Sequence, residues 1–329
     1  MPKIAVIGAT GAVGREIIKD LEDCNINNLD VIAIASEKSA GKIINFRGQD
    51  LIVKPWKLNL TDGCDYVLMS AGAKFSRENS PAIAARGSIV IDNSSAWREE
   101  EDIPLIVPEV NGEVLSPAAK GYIIANPNCA AIQLVVSVAP LLKTLAVDMI
   151  IVSTYQSVSG KGQSAISQLR EESHDYLQSE NKTELSLAFN IQSAIGPINE
   201  TGDCEEESKI IAETKKILHN HSFDILATCT RVPVFNCHSE SVAVRINKEL
   251  SVEEITKHLS SFSGVKVCNE KMPTLAQIKS DKRVWVSRIR KKKFGSSSWL
   301  QFWSVADNLK KGAASNTVQI FTSLYDKSK

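Results

Sequence analysis

The residue best suited to covalent chemistry is Cys129, the last residue of the sequence Asn126-Pro-Asn-Cys129. An apolar, strand-like run precedes this turn and an apolar, helix-like run follows it, so Cys129 is predicted at a helix N-terminus. There the helix dipole stabilises a thiolate and lowers the thiol pKa below its usual value of about 8.5. A small buried cysteine at the start of a core helix would fit the same pattern. The sharp polar turn made by Pro127 and its two asparagines favours a nucleophile.

A thiol nucleophile needs a proton carrier, and His238 is the best candidate because it lies between two strand-like segments, in RVPVFNCHSE. Its neighbour Cys237 is an alternative nucleophile to Cys129, because Cys237 is adjacent to His238 in the sequence. Adjacent residues of an extended strand point to opposite faces, so Cys237 is predicted to be a packing residue. The other histidines lie in charged helical or loop segments and are predicted at the surface: His174, His219, His221 and His258.

A glycine-rich turn, GATGAVG at residues 8–14, follows the first apolar run directly and opens the first helix-like segment. The first glycine permits a tight turn, the second lets the backbone approach a pyrophosphate, and the third allows close contact between helix and strand. The helix N-terminus then offers free N–H groups and a positive dipole end to an anion. A dinucleotide cofactor is predicted to contact Gly8, Thr10, Gly11, Ala12 and Val13.

The end of the second strand-like run indicates which nicotinamide cofactor to expect. NAD-binding proteins usually carry an acidic residue at this position, which holds the ribose hydroxyls. This chain has Ala35-Ser-Glu-Lys-Ser39, in which two hydroxyls and an ammonium suit a 2′-phosphate, although Glu37 would suit NAD. NADP is therefore predicted over NAD, bound by Ser36, Lys38 and Ser39.

The composition argues against several other functions. The 329 residues include 38 Lys and Arg and 38 Asp and Glu, a neutral balance that is atypical of nucleic-acid-binding proteins. No apolar stretch reaches the roughly 18 residues of a membrane span. The seven cysteines form no CxxC pair, so reduced thiols in a cytoplasmic protein are expected, with neither disulfides nor a metal site. The basic run 282–293 is predicted to be a solvated strand and turn.

The elements that must position these residues fall into two groups. The first third alternates continuous apolar runs with helix-like segments, an order typical of a doubly wound, Rossmann-type, mostly parallel sheet. After residue 128, a long apolar helix is followed by longer, partly alternating strands, which favour an α+β domain with a mixed sheet. The predicted α/β chain therefore has a nucleotide-binding domain (1–128), a catalytic domain (129–307) and a C-terminal helical segment (308–329) that packs back onto the first domain.

The individual elements are predicted as follows. Strands are expected at 4–7, 31–35, 66–70, 89–92 and 122–125, and then at 149–156, 223–234, 241–246, 283–290 and 299–305. Helices are expected at 14–21, 129–145, 164–177, 206–218, 252–262 and 310–324.

Ordered motifs along almost the whole chain resemble those of the aspartate-semialdehyde dehydrogenases. They are GATGAVG, SEKSAGK, IDNSSAWR, DIPLIVPEVN, NPNC, TYQSVSGKG, EEESKIIAETKKIL, RVPVFNCHSE and VADNLKKGAASNTVQI. The resemblance implies NADPH-dependent reduction of L-aspartyl 4-phosphate to L-aspartate 4-semialdehyde with release of phosphate, through a cysteine thioester. It places this step in lysine (or diaminopimelate), threonine and methionine synthesis. It also implies a homodimer joined through the sheet of the second domain.

The resemblance assigns a role to each candidate residue. Cys129 would be the nucleophile, His238 the general acid and base, and Gln156 the residue that orients the substrate. The substrate phosphate would be bound by Arg98 and Lys209, with further hydrogen bonds from Asn93 and Asn128. The α-carboxylate would be bound by Arg231 and the α-ammonium by Glu206, although a one-residue shift within Glu205–Glu207 is possible. Further cofactor contacts would come from Ser70, Gly72, Ser159, Gly160 and Asn316.

The chain departs from the family pattern at a few positions, and two other functions compete with this one. Ala130 and Ala131 follow NPNC where the family usually has a Ser or Thr pair, and Lys38 replaces the usual arginine. None of these changes removes a proposed catalytic group. The first alternative is an N-acetyl-γ-glutamyl-phosphate reductase, whose acylated amine would have no use for Glu206. The second is a non-catalytic NADP-binding protein, which would leave the joint presence of Cys129, Gln156, Arg231 and His238 unexplained.

Overall fold

The computed structural model describes residues 1–116, 121–178, 185–220, 222–247, 250–270 and 272–329. The chain divides into two compact units. The first unit contains Met1–Asn128 and Ala313–Lys329, and the second unit contains Cys129–Gly312.

The first unit is built on a parallel sheet, which has six strands within the residues described. Their order is β5-β2-β1-β6-β7-β8, and every neighbouring pair is parallel. A separate antiparallel hairpin is formed by β3 and β4. The strands are β1 Lys3–Ile7, β2 Asp30–Ala35, β3 Ile43–Phe46, β4 Gln49–Ile52, β5 Lys54–Pro55, β6 Tyr66–Met69, β7 Ile89–Asp92 and β8 Ile123–Ala125.

Successive residues of the central strand point into two different cores, one on each face of this sheet. Ile4 and Val6 of β1 belong to one apolar cluster, whereas Ala5 and Ile7 belong to the other. Both faces are therefore covered, as the continuous apolar runs predict for a doubly wound fold. The helices of this part of the chain are α1 Ala12–Glu22, α2 Ala73–Ala84 and α3 Pro108–Asn111.

Five strands of the first unit agree with the prediction to within one residue at each end. The hairpin and β5 are absent from the prediction because they are short and largely exposed: Ile43 and Ile52 are each more than 60% accessible to solvent. Helix α2 was also not predicted. Its sequence, AKFSRENSPAIA, mixes polar residues with an internal proline, Pro81, which hides the helical periodicity.

The second unit contains a mixed sheet, again six-stranded among the residues described, in the order β10-β9-β11-β14-β13-β12. The β9–β10 and β12–β13 pairs are parallel and the other pairs antiparallel. The strands are β9 Val147–Gln156, β10 Asp224–Arg231, β11 His238–Ile246, β12 Val265–Cys268, β13 Val284–Phe294 and β14 Ser297–Ala306. The helices are α4 Cys129–Leu142, α5 Gln163–Gln178, α6 Glu205–Leu218, α7 Val252–Ser260 and α8 Leu275–Ile278.

The two faces of the mixed sheet differ in burial. Along β11, Val242, Val244 and Ile246 are buried on the face that α4 covers, whereas Ala243 and Arg245 are only partly buried on the opposite face. That opposite face also carries large apolar side chains, among them Leu226, which is 57% exposed. We call it the open face of the second unit.

The topology brings the C-terminal ends of β9 and β10 next to the N-terminal end of β11. These strand ends form one border of the sheet, across the strands, and that border is the edge described here. Gln156 and Arg231 end the parallel strands β9 and β10 and are register partners. Strand β11 runs antiparallel to β9, so its first residue, His238, lies at the same edge. Strand β10 ends here because Pro233, two residues further on, has no N–H for the ladder. We call Gln156, Arg231 and His238 the polar edge.

The C-terminal helix, α9 Ser315–Lys327, belongs to the first unit. A π-helical turn at Lys310–Ala314 precedes it, so the regular helix starts five residues later than predicted. Apolar residues of α9 and α1 share one core cluster, and Phe321 makes an edge-to-face contact with Tyr66 of β6 at 4.9 Å between ring centroids. No helix of the described ranges is long and apolar enough to cross a bilayer.

Candidate active site

A thiol and an imidazole meet at the polar edge. Cys129 is the first residue of α4, and its Sγ lies 3.2 Å from Nε2 of His238, the first residue of β11. The two residues are 109 positions apart in the sequence. The structure therefore brings together the two residues that sequence analysis proposed as nucleophile and proton carrier.

The imidazole of His238 is deeply buried, with 1% of its surface accessible. Its second nitrogen, Nδ1, accepts a hydrogen bond from the backbone N–H of Ser157 at 3.0 Å, and the Ser157 hydroxyl lies 3.1 Å away. Burial and the nearby Arg231 guanidinium lower the pKa of His238 to about 3, against a smaller opposing effect of the Cys237 backbone. The ring is therefore neutral at physiological pH.

The competing cysteine, Cys237, points away from this site. Its backbone is left-handed, with φ of 70°, rather than extended as the prediction assumed. Its Sγ lies 3.5 Å from the carbonyl oxygen of Leu275, and the residue packs with Ile278 and Val305. Burial raises the pKa of the Cys237 thiol to about 12, and burial also raises the pKa of Cys229. These thiols are unsuited to nucleophilic attack at neutral pH.

The acidic run at the start of α6 has three separate functions. Glu205 forms an ion pair with Lys209, one turn further along the helix. Glu206 accepts a hydrogen bond from Nε2 of Gln156 at 3.0 Å. Glu207 is buried and accepts hydrogen bonds from the backbone N–H groups of Cys204 and Cys229. Of the three carboxylates, Glu206 is therefore the one that contacts the polar edge.

Arg231 is 8% exposed and lies beside the thiol–imidazole pair. Its Nη1 donates to the backbone carbonyl of Ser157 at 2.9 Å. Burial lowers the pKa of Arg231, and the nearby Cys129 and Glu206 act in the opposite direction. A Cβ atom on Gly160 would lie 3.2 Å from Nη1 of Arg231 and 3.4 Å from Nε2 of His238. The absence of a side chain at Gly160 therefore leaves space at these two groups.

Several residues of the site were not predicted. A Cβ atom on Gly312 would lie 2.7 Å from Cβ of Cys129, so only glycine fits against the thiol at that position. Ser157 contacts Nδ1 of His238, and Asn308 binds the Ser157 hydroxyl at 3.1 Å. Ser157 and Gly312 lie within the motifs TYQSVSGKG and VADNLKKGAASNTVQI, but no pattern in these motifs distinguishes them from their neighbours.

The candidate phosphate ligands of the first unit lie in loops after the strand ends. The Arg98 guanidinium donates to the carbonyl oxygens of Asn126 at 3.0 Å and Asn93 at 2.8 Å. The side chain of Asn93 donates to the carbonyl of Met69 and accepts from the hydroxyl of Thr317. Asn128, the last residue of this unit, is buried. These two carbonyl oxygens hold the Arg98 guanidinium in one orientation.

The glycine-rich turn has the shape required for an anion. Gly8 has φ of 83°, and a Cβ atom on it would lie 2.2 Å from the carbonyl oxygen of Ser70. A Cβ atom on Gly14 would lie 2.1 Å from the carbonyl oxygen of Gly8, so the helix and strand approach closely as predicted. Gly11 is the N-cap of α1 and has no capping side chain, which leaves the first N–H groups of Ala12 and Val13 available. These residues fit a bound pyrophosphate.

The predicted 2′-phosphate residues lie next to this turn. Ser39 is buried and its hydroxyl accepts a hydrogen bond from Thr10 at 3.2 Å, whereas Ser36 and Lys38 are exposed. A cavity of about 550 Å³ between α1 and β3 extends from Thr10, and Arg15 and Lys42 contribute to its lining. Neither of these cations has a carboxylate partner among the residues that the structure describes.

The remaining predicted cofactor residues are found in three settings. Gly72 is the N-cap of α2, with φ of 83°. The hydroxyl of Ser159 is buried in hydrogen bonds with Asn308. Asn316 is fully buried in the first unit, where its amide group donates to the carbonyl oxygen of Ile106 and to the side chain of Asn126. Their contact with a cofactor stays a prediction.

His174 and His219 are exposed and His258 is partly buried, whereas His221 lies outside the described residues. Within the described part of the chain, no cluster of three or more His, Cys, Asp or Glu side chains could hold a metal ion.

Comparison with known proteins places both units in one family. Residues 3–118 match the family described as semialdehyde dehydrogenase, NAD binding domain, and residues 138–311 match semialdehyde dehydrogenase, dimerisation domain. The aspartate-semialdehyde dehydrogenase of Aquifex aeolicus is 41% identical over 97% of this chain and 96% of its own. That of Bacillus subtilis is 40% identical over 98% of this chain and 96% of its own.

A solved structure shows the same similarity in three dimensions. Aspartate semialdehyde dehydrogenase II of Vibrio cholerae, complexed with ASA, matches with a TM-score of 0.92 and 34% identity, and the match covers 100% of this chain and 99% of that one. The predicted fold class, a parallel-sheet nucleotide-binding part followed by a mixed-sheet part, is confirmed.

Proposed function

This chain belongs to the semialdehyde dehydrogenase family, and we propose that it is an NADP-dependent aspartate-semialdehyde dehydrogenase. It reduces L-aspartyl 4-phosphate to L-aspartate 4-semialdehyde and releases phosphate, in the synthesis of lysine or diaminopimelate, threonine and methionine. The observation that carries this proposal is the 3.2 Å approach of the Cys129 thiol to the neutral imidazole of His238, beside a buried arginine.

The chemistry starts at sulfur. The Cys129 thiolate attacks the carbonyl carbon of the acyl phosphate, the bond to the phosphate oxygen breaks, and a thioester forms. When bound, the reduced nicotinamide supplies a hydride to the thioester carbonyl. The resulting tetrahedral oxyanion lies next to Nε2 of His238 and collapses to the aldehyde, which restores the thiolate. The departing phosphate takes up the one proton of the overall reaction.

Substrate recognition requires groups of both charges. The planar guanidinium of Arg231 can bind the α-carboxylate through two hydrogen bonds. Glu206 is the acceptor for the α-ammonium, and its hydrogen bond to Gln156 couples that contact to the residue that orients the reacting carbonyl. Arg98 and Lys209 supply positive charge for the phosphate, with Asn93 and Asn128 as further donors. An acylated amine, as in N-acetylglutamyl phosphate, has no positive charge, so Glu206 would have no cation to bind.

The cofactor is NADP rather than NAD. The pyrophosphate binds the backbone N–H groups of the glycine-rich turn, and the 2′-phosphate binds Ser36, Lys38 and Ser39. The presence of Arg15 and Lys42 in the cavity beside Thr10, without carboxylate partners in the described chain, supports this choice. Arg15 and Lys42 add positive charge to the lining of this cavity, whereas Glu37 by itself would favour a ribose hydroxyl.

We place the enzyme in the cytoplasm as a homodimer. A reducing compartment keeps Cys129 as a free thiol. The open face of the second unit supplies the dimer contact, because it carries partly exposed aromatic and aliphatic side chains, including Tyr155 and Trp303 in ring contact at 5.3 Å. The match of residues 138–311 to a dimerisation domain supports a homodimer formed through the second unit.

The test is reduction of NADP with L-aspartate 4-semialdehyde, with and without inorganic phosphate. We expect phosphate-dependent turnover that Cys129→Ala abolishes and that Cys237→Ser retains. Turnover with N-acetylglutamate semialdehyde instead would support the first alternative. Tight NADPH binding without turnover of either aldehyde would indicate a non-catalytic protein.

A further inference from the structure

The aspartate that ends β7 holds the start of the loop that leads to Arg98. Asp92 is fully buried, and its Oδ1 accepts a hydrogen bond from the backbone N–H of Ser94 at 3.0 Å. Its Oδ2 accepts from the hydroxyl of Ser94 at 2.6 Å and from that of Ser76, on α2, at 2.7 Å. A buried carboxylate is costly unless it is hydrogen-bonded, and these three bonds satisfy it. Asp92 therefore ties the loop to α2.

The peptide group between Asn93 and Ser94 carries this constraint to Arg98. A trans peptide group is planar, so its N–H and its C=O point in opposite directions. The N–H of this group, which belongs to Ser94, points at Oδ1 of Asp92. The C=O of the same group belongs to Asn93, and its oxygen accepts from Nη2 of Arg98 at 2.8 Å. The position of the Asp92 carboxylate therefore determines where this acceptor of Arg98 lies.

Two further contacts hold the end of the same loop. Nε1 of Trp97 donates at 2.8 Å to the Ser76 hydroxyl, the group that itself donates to Asp92. Nε of Arg98 donates at 3.0 Å to the carbonyl oxygen of Asn126, the first residue after β8. Open α/β sheets bind their ligands at the carboxyl ends of the strands. The Arg98 guanidinium is therefore held at the border of the sheet where a ligand is expected.

We propose that Asp92 is a positioning residue that holds the Arg98 guanidinium in place for the substrate phosphate. This inference rests on the proposed function, in which Arg98 supplies positive charge to that phosphate. A guanidinium that is already held in its binding orientation loses little conformational freedom when the phosphate binds, which favours affinity. Because Asp92 acts through Arg98, its loss weakens the binding of phosphate and leaves the binding of the aldehyde and of NADP unchanged.

The first measurement compares crystal structures of the ligand-free wild type, Asp92→Ala and Asp92→Asn. Asparagine keeps an oxygen that can accept from the N–H of Ser94, whereas alanine has no acceptor. We expect the Asn93 carbonyl and the Arg98 guanidinium to keep their positions in Asp92→Asn and to move or become disordered in Asp92→Ala. An unmoved guanidinium in Asp92→Ala would overturn the proposal. This result is obtained without substrate, so it stands even if aspartate semialdehyde is not turned over.

The second measurement is the KM for phosphate in NADP reduction, with aspartate semialdehyde and NADP both saturating. We expect Asp92→Ala to raise this KM about 10-fold or more, since a misplacement of about 1 Å can cost up to about 10²-fold. Asp92→Asn should keep it close to the wild-type value, and neither variant should change the other two KM values. An unchanged phosphate KM in Asp92→Ala would refute the positioning role.

Asp65→Ala is the matched control for this measurement. Asp65 also accepts a hydrogen bond from a backbone N–H, that of Lys3 at 2.8 Å. It directly precedes β6 and so lies at the amino-terminal ends of the parallel strands, opposite to Asp92. We expect all three KM values of Asp65→Ala to equal those of the wild type.

The third measurement is a double-mutant cycle of Asp92→Ala and Arg98→Ala on the phosphate KM. If Asp92 acts through Arg98, the two effects are not additive, and Asp92→Ala adds little once Arg98 is alanine. Effects that multiply independently would refute the proposal. An unchanged phosphate KM in Arg98→Ala alone would instead overturn the phosphate role of Arg98 in the proposed function, while the crystal structures still decide whether Asp92 holds that side chain.

Ser94→Ala keeps the proposal testable if Asp92→Ala does not fold. Ser94 is only partly buried, and alanine removes one donor to Oδ2 of Asp92 but retains the backbone N–H. We expect the phosphate KM to rise about 3-fold or more, because part of the free energy of one hydrogen bond to a charged group is lost. A phosphate KM equal to that of the wild type would contradict the network.

Discussion

At the scale of single residues, burial determines how strongly each charged side chain of the site interacts with a ligand. Arg231 is almost completely removed from water, so each hydrogen bond that it makes to a ligand is only weakly opposed by solvent. Lys38 and Lys42 are exposed and act through a screened field. A substitution of the buried cation should therefore cost more than a substitution of either exposed one.

Arg231→Lys tests whether the planar guanidinium group of Arg231 binds the substrate α-carboxylate through two hydrogen bonds. Lysine keeps the charge but loses the paired N–H groups, so we expect the KM for aspartate semialdehyde to rise about 10- to 100-fold, which corresponds to one hydrogen bond to a charged group at about 1.5–3 kcal/mol. The measurement is initial-rate kinetics at saturating NADP and phosphate. Arg86→Lys, at a surface ion pair with Asp62, is the control and should leave KM unchanged. An unaltered KM in Arg231→Lys would remove its carboxylate role.

Lys42→Ala tests the contribution of the cavity beside Thr10 to cofactor choice. Loss of a partly screened cation should raise the KM for NADP about 3- to 10-fold and leave the KM for NAD unchanged, because NAD has no 2′-phosphate. Lys38→Ala should act in the same direction. Lys3→Ala is the control, because Lys3 starts β1 and so lies at the end of that strand opposite to the glycine-rich turn. A parallel rise for both cofactors would indicate that Lys42 does not contact the 2′-phosphate.

At the scale of elements, β11 contains a carboxyl group that the mechanism does not use. Glu240 is fully buried, its Oε2 accepts from the Ser304 hydroxyl at 3.1 Å, and its Oε1 has no hydrogen-bond partner among the described residues. Burial raises the pKa of Glu240 well above its ordinary value of 4.5, against an opposing effect of Ser304. The folded state therefore favours the protonated form of the Glu240 carboxyl group.

Glu240→Gln should change the pH dependence of stability. Because the folded pKa is raised, the folded state holds a proton that the unfolded state has lost above about pH 4.5. The wild type therefore loses stability as pH rises, by about 1.4 kcal/mol per pH unit until the folded pKa is reached. Glutamine resembles the protonated acid, so the variant should match the wild type near pH 4 and be more stable at pH 8. Urea unfolding at both pH values measures this, with Glu253→Gln, an exposed acid, as control; equal stability at pH 8 would contradict it.

At the scale of the whole molecule, the open face of the second unit carries apolar side chains that a single chain leaves exposed to solvent. A stable dimer needs roughly 1,000 Å² of complementary surface or more, and apolar side chains at its centre contribute most of the affinity. Leu226 lies on this face and is 57% exposed.

Leu226→Asp should therefore weaken the homodimer. A buried, unpaired carboxylate at the interface costs several kcal/mol, so we expect a monomer in sedimentation velocity at micromolar concentration, where the wild type sediments as a dimer. Ile43→Asp places the same charge on an equally exposed residue of the first unit and should leave the dimer intact. A wild-type monomer, or an unchanged dimer in Leu226→Asp, would exclude this face as the contact.

Local sequence patterns were sufficient to predict much of the secondary structure of this protein. The continuous apolar runs of β1, β2, β6, β7 and β8 predicted a covered parallel sheet, because such strands are buried on both faces. The turn GATGAVG predicted the end of β1 and the start of α1, since only glycine avoids the contacts at Gly8 and Gly14. The position of Cys129 at the first turn of α4 also followed from its neighbours alone. Each of these predictions comes from a pattern formed by a few neighbouring residues.

The tertiary structure alone decided how distant side chains meet. The hydrogen bond of Glu206 to Gln156 separates it from two adjacent carboxylates that the sequence could not distinguish. Nδ1 of His238 accepts a hydrogen bond from a backbone N–H that lies 81 residues away in the chain, and Gly312 is needed only because it packs against Cys129. Sequence patterns report burial and local conformation, whereas these contacts are set by strand register and sheet order, which bring separate segments to one edge.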